Sequence, residues 1–201
     1  LLEFDYKSLI RESSKYSPVA AVSCLELYTK SVYAFLIDYG SPFVEKLNDF
    51  KIDFNIQVAI ELKSNSLTLG DFASHQIPAS NFENITGNLK KLFGIDFIKE
   101  LKGKHILESK QPYQCDIFDQ GLSIEELDAK EKKWRADEAG QFILGLKEII
   151  RSRHLICHEN THDQSFDCGK NYFLTSTMYV KLFIILTESI IDDVISSIED
   201  V

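Results

Sequence analysis

Glycine and proline are scarce, nine and four in 201 residues, about half the share that average usage of roughly 7% and 5% would give. Turns are therefore few, which argues against a many-turned β-sandwich or barrel and makes helices the expected main element. Low-complexity stretches are missing, and an apolar content of 44% is too high for a disordered chain. Cys24, Cys115, Cys157 and Cys168 include no Cys-x-x-Cys pair, and Leu1 to Tyr6 carries two acids without a basic segment. No signal peptide is expected, and the natural expectation is reduced thiols in a cytoplasmic protein. The most apolar stretch is interrupted by Lys181 and Glu188, so no membrane-spanning run of about 20 residues is expected.

Positive charge is also short, with 22 Lys+Arg against 31 Asp+Glu and a net charge of −9. Coating of long nucleic acid draws its affinity from Lys/Arg and phosphate, so the balance argues against it. It leaves room for a small, locally basic site. Two such segments stand out: five lysines between Lys90 and Lys104, and a stripe from Lys147 to His158. Acids at 125–138 and at the C-terminus offset them.

Apolar periodicity supplies the architecture. Ser17 and Pro18 have the residue types of an N-cap and first turn. Ala21, Cys24, Leu25, Tyr28, Val32, Phe35 and Leu36 then recur at helical spacing until Gly40 and Pro42. Residues 43–62 alternate in part, and a strand competes there with a helix. Helices are expected over 67–73 and 82–101, and a loop over 105–121. Ser123 and Glu126 have capping-box spacing. The next run holds ten charged residues in the fourteen from Glu125 to Glu138, which reads as a solvated helix anchored by Leu127 and Trp134. That helix turns apolar at Ala139, Ile143, Leu146 and Ile150 and is expected to run toward His158. After a loop at 159–173, Met178, Leu182, Leu186, Ile190, Val194 and Ile198 form an i,i+4 chain. With no linker or repeat, the expectation is one all-α domain over 1–201, a bundle of five or six helices.

Histidine numbers only five, yet three fall between His154 and His162, beside Arg151 and Arg153. Basic and titratable groups at one helix end favour an anion and shift one another's pKa. The plainer reading is a helix terminus whose cations oppose the dipole. The run Arg153-His154-Leu155-Ile156-Cys157-His158 resembles the Arg-polar-x-x-x-His signature of the HEPN family. The long helix at 20–37 is similar to that family's opening helix, Phe82 to Phe97 looks like the middle segment of a bacterial subgroup, and a long helix follows the motif. The resemblance spans roughly 18–198.

It implies a HEPN-like helical bundle acting as a metal-independent endoribonuclease of toxin or defence type. No cofactor is expected; RNA is the substrate, and a homodimer with a possible antitoxin or defence-system partner is the expected assembly. The implied roles are proton transfer at a ribose 2′-hydroxyl for His158, phosphate binding for Arg153, and orientation by His154 at the polar position. Arg151, Lys147 and Asn160 are the candidates for substrate contact. The residue types suit those tasks, because imidazole titrates near neutral pH and a guanidinium forks across two phosphate oxygens. In one toxin subgroup a tyrosine stands two residues after the motif histidine; Asn160 occupies that place here, so inactivation by nucleotide transfer onto a tyrosine is not supported.

Helix geometry sets a constraint. Arg153 and His158 stand about 140° apart on an ideal helix, while Lys147, Arg151, His154 and His158 share a stripe. Either the helix breaks near His158, or two protomers complete the site, or Arg151 is the functional arginine. Three rivals remain. A zinc site would use His154, His158, His162, Cys157 and Cys168, although the glutamate is misplaced for His-Glu-x-x-His. A Cys157 thiol nucleophile beside His158 is disfavoured because adjacent helical residues point apart, and its apolar neighbours predict a buried thiol. A HEPN-like module with lost or conditional activity would serve dimerisation or partner binding.

Overall fold

The computed structural model describes residues 16–64, 66–108, 129–158 and 170–199, with side chains described except at 105–108, 129–138, 158 and 170–175. Seven α-helices and one 3₁₀ helix make up this part, and no strand occurs among the described residues. In chain order they are α1 (Ser17–Tyr39), a 3₁₀ helix (Val44–Asp49), α2 (Ile56–Lys63), α3 (Leu69–Gln76), α4 (Phe82–Phe93), α5 (Phe97–Glu108), α6 (Ala129–His158) and α7 (Lys170–Glu199).

α1 is the hub, packing on α3, α4, α6 and α7. It buries Ala21, Val22, Leu25, Thr29, Val32, Tyr33, Leu36 and Ile37, the inward stripe of a 3.6-residue period. Pro18 stands in its first turn as expected, but Tyr16 is the N-cap and Ser17 lies inside the helix. Ser17 is buried, its Oγ 3.4 Å from Ser176 Oγ on α7. Tyr28 Oη donates to the Ile184 carbonyl and Tyr39 Oη to Glu199 Oε1, so α1 and α7 run parallel. Burial, then Glu188, pushes the Tyr28 phenol well above its ordinary pKa. Contrary to the expectation from the chain's apolar runs, α1 is long and apolar enough to cross a membrane, with a mean hydropathy of 1.3. Its inward stripe is the centre of the core here.

The ambiguous 43–62 stretch resolves as the 3₁₀ helix, an extended link and α2. Asn55 starts α2 by accepting the Val58 amide, which converts the alternating pattern into a helix. α2 buries no residue. α3 crosses α1 where Gly70 allows it. The Gly70 amide donates to Asp38 Oδ1 at 2.7 Å, and a Cβ there would collide with the Ala34 carbonyl oxygen.

The expected helix over 82–101 is two helices. Asn81 caps α4 through the Asn84 amide, and Phe82, Ile85, Leu89, Leu92 and Phe93 form its buried face. Gly94 then adopts φ 72°, its amide closing on the Lys90 carbonyl in a left-handed C-cap that ends α4. Together with α2 this break raises the helix number above the expected five or six. α5 packs on α4, α6 and α7, held by Lys104 Nζ at 2.6 Å from Asp193.

α7 begins at Lys170, inside the stretch expected to be a loop. Its i,i+4 chain lines the core except at its start: Leu186 and Ile190 are buried and Leu182, Val194 and Ile198 pack against the core, while Met178 is exposed. Each four-residue step drifts about 40°, and Phe183 and Ile191, off that chain, are buried as well. The capping box at Ser123 and Glu126 and the anchor Leu127 lie outside the described residues.

Candidate functional site

α6 carries two faces. Phe142, Ile143, Leu146, Ile149 and Ile150 are buried in the core. Ser152, fully buried, returns its hydroxyl to the Glu148 carbonyl at 2.8 Å, a local bond that satisfies a polar group without water. Lys147, Arg151 and His154 are exposed on the other side. At 100° per residue these three lie within about 60° of one another, so the expected stripe is present on the surface.

The helix is continuous through His158. A break before that residue, one of the three ways of reconciling Arg153 with His158, is therefore excluded, and their backbone positions remain on different sides of α6. Arg153 turns toward α1. Its Nη2 lies 3.5 Å from Glu26 Oε1, and both side chains are about three-quarters buried (25% and 23% exposed). Arg151, by contrast, is exposed and about 20° from His158 in helical register. The structure thus groups Arg151 and His154 with the His158 position and sets Arg153 apart.

Lys147 reaches across to α4. Its Nζ stands 2.8 Å from Glu83 Oε1 and 5.3 Å from the centre of the Phe82 ring. The hydrogen bond from Lys147 holds the Glu83 carboxyl below its usual pKa, helped by the backbone at the start of α4. This pair is exposed on both sides, so it is worth a few tenths of a kcal/mol and exchanges readily for another anion. The Arg153–Glu26 pair is more shielded. A guanidinium has five N–H donors in a planar fork, and Glu26 engages one edge of it.

Cys157 is exposed, not the buried thiol expected from its apolar neighbours. In helical register Cys157 falls within about 20° of the buried Leu146 and Ile150, but no described residue of α6 after Ser152 is buried, so the helix has passed the core by that turn. Among the described residues no group of three or more His, Cys, Asp or Glu is placed to hold a metal ion. His162, Cys168 and Asn160 lie outside the described residues, as does the His158 side chain.

Two carboxylates that face the site were not singled out from the sequence. Glu26 had a usable signal, being the only acid between Ser17 and Ile37 in an otherwise apolar helix. Glu83 had none, because acids in a first helical turn are ordinary dipole partners.

A second basic feature lies at the other end of α4. An open cleft of about 530 Å³ is lined by Lys46 of the 3₁₀ helix, Lys90, Lys91, Asp49, Gly94 and Asp96, among others. Lys91 Nζ sits 5.0 Å over the Phe50 ring and 3.4 Å from the Asp49 carbonyl.

No protein-family model matches the chain, and neither a curated protein nor a solved structure matches it.

Proposed function

We propose that this chain is a HEPN-like, metal-independent endoribonuclease of toxin or defence type, cytoplasmic and homodimeric, with a possible antitoxin or defence-system partner. The observation that carries the reading is the Arg153-to-His158 motif on the last turns of a long helix in an all-α chain. The exposed stripe of Lys147, Arg151 and His154 supports it, since an anionic substrate meets three basic or titratable side chains on one face.

In this reading His158 removes the proton from a ribose 2′-hydroxyl, and the oxygen attacks the adjacent phosphorus. The P–O5′ bond breaks, the 5′-oxygen takes a proton from solvent, and the products are a 2′,3′-cyclic phosphate and a 5′-hydroxyl. Arginine stabilises the charge that gathers on the phosphoryl oxygens. Arg153 is assigned to this task, with His158 supplied across a two-fold axis because the two residues do not share a face of α6. Within that arrangement Glu26 fixes one edge of the Arg153 fork and leaves the other donors for phosphate. His154 orients the reacting groups, and Lys147, Arg151 and Asn160 contact the strand.

A second reading draws on the same Arg153–Glu26 contact. A motif arginine already matched to a carboxylate suits a module whose cleavage is conditional or absent and whose task is dimerisation or partner binding. Incubation of the purified chain with mixed RNA, with and without EDTA, separates the two. Cleavage that survives EDTA and falls at least about 1,000-fold in His158→Ala and Arg153→Ala supports the nuclease. Absence of cleavage from every sample supports the binding module. A larger loss in Arg151→Ala than in Arg153→Ala moves the phosphate role to Arg151, and a light-scattering mass of one chain removes the composite site.

A further inference from the structure

The lysines of the 90–104 segment do not act as one basic helix. Lys104 is consumed by Asp193, and the Gly94 turn separates Lys99 and Lys102 on α5 from Lys90 and Lys91 on α4. The fold instead gathers Lys90 and Lys91 with Lys46, distant in sequence, around the cleft at the end of α4. Among the described residues none of these three forms an ion pair.

Helix ends change this charge little. The α4 C-terminus carries roughly half a negative charge and the α5 N-terminus roughly half a positive one, so the two nearly cancel. Asp96 is committed to α5, where its Oδ1 accepts the Lys99 amide at 3.3 Å. Three ammonium groups then face two carboxylates, Asp49 and Asp96, which leaves the cleft net positive on a chain of net charge −9. Lys91 is held in place by Phe50 and the Asp49 carbonyl, so part of the ordering cost of binding is already met.

The cleft also shares the face of α4 that meets Lys147 of the α6 stripe. Glu83, Gly87, Lys90 and Gly94 fall within about 60° on α4, and Glu83 is the residue that meets Lys147. A continuous surface therefore runs from Lys147 along α4 to the lysines, about 12 Å at 1.5 Å per residue. Gly87 lies midway, with open space where a side chain would stand, so the face is open at that point.

We infer that the Lys46, Lys90 and Lys91 cleft binds the phosphate backbone of single-stranded RNA whose scissile end lies at the α6 stripe. This rests on the nuclease reading for the identity of the ligand. A track one helix wide follows one strand's phosphates, whereas a duplex is held by contacts spread over successive grooves.

The test is binding by the full chain of labelled, unstructured RNA of about 15 nucleotides, titrated at several salt concentrations. Lys46→Gln/Lys90→Gln/Lys91→Gln is compared with wild type, with the charge-keeping Arg triple, and with Lys99→Gln/Lys102→Gln, which removes exposed charge elsewhere. The expected result is at least about a tenfold loss in the Gln triple, with the slope of log K against log salt shallower by about 2. The Arg triple should restore binding, and the α5 pair should stay within about twofold of wild type. Equal binding by the Gln triple, equal loss in the α5 pair, or equal affinity for duplex RNA overturns the inference. RNA binding that depends on the cleft without cleavage leaves the cleft as the RNA-binding site and overturns the nuclease reading together with the scissile end placed at α6. No RNA binding by wild type overturns both.

Discussion

The two faces of α6 are built from the same turns of one helix and carry different kinds of information. The inner face, with Leu146 fully buried beside Phe142, Ile149 and Ile150, is held by many contacts to α1, α5 and α7. The outer face carries Lys147, Arg151 and His154, all exposed, with Lys147 in an exposed ion pair to Glu83. Stability therefore resides on the inner side, and of the described side chains assigned to the proposed site Arg153 alone turns away from the outer stripe, toward α1. Substitutions should separate the two faces cleanly.

The largest effect expected from a single residue is on the inner face. Leu146→Ala removes a fully buried side chain from the centre of the bundle and should cost about 3 kcal/mol in denaturant unfolding. Arg151→Ala, barely more than one turn away, should stay within about 0.5 kcal/mol of wild type while weakening RNA binding. A similar stability loss in both would break the contrast between the faces.

Gly145 sharpens the contrast at the seam. A Cβ there would run into the Tyr179 ring of α7, which already packs edge-on against Phe142. Gly145→Ala should cost about 1–3 kcal/mol although alanine is the better helix former. A gain in stability would show that α6 and α7 have room to separate.

The smallest effect belongs to Glu83. Its folded pKa lies below the ordinary value of 4.5, so its stabilisation is present above that value and is lost as pH falls through the depressed folded pKa. Glu83→Gln should cost only a few tenths of a kcal/mol at neutral pH, and the difference should vanish in acid. A pH-independent difference would mean that Glu83 acts through packing and not through Lys147.

This division also explains what was legible in the sequence. The all-helical architecture, most of the α1 stripe from Ala21 to Leu36 and the reach of α6 to His158 were legible in the sequence, although Cys24 and Phe35 of that stripe are exposed. Gly94 was legible as punctuation within 82–101, but not as the end of one helix and the start of another, which only its left-handed φ shows. α2 was obscured because Asn55 caps it from inside an alternating run. Cys157 was misjudged because it continues the apolar face of α6, while the core on that helix ends at Ser152. On the polar side, residue type and spacing nominated Lys147 and Arg153, whereas the carboxylates that meet them, Glu83 and Glu26, come from α4 and α1. No local pattern ties Glu26 to Arg153 across more than a hundred residues. The cleft was hidden for the same reason, since Lys46 joins Lys90 and Lys91 only through the packing of the 3₁₀ helix on α4.

The central claim is that attack comes from a ribose 2′-hydroxyl, with Arg153 and His158 serving it. The most direct measurement is cleavage, in EDTA, of one RNA beside the same strand bearing a single 2′-deoxy substitution at the mapped cleavage position, with the product ends identified by mass. The account predicts a 2′,3′-cyclic phosphate from the unmodified strand and no cut at the substituted position. Cleavage that continues at the deoxy position, or that leaves a 5′-phosphate, would contradict it.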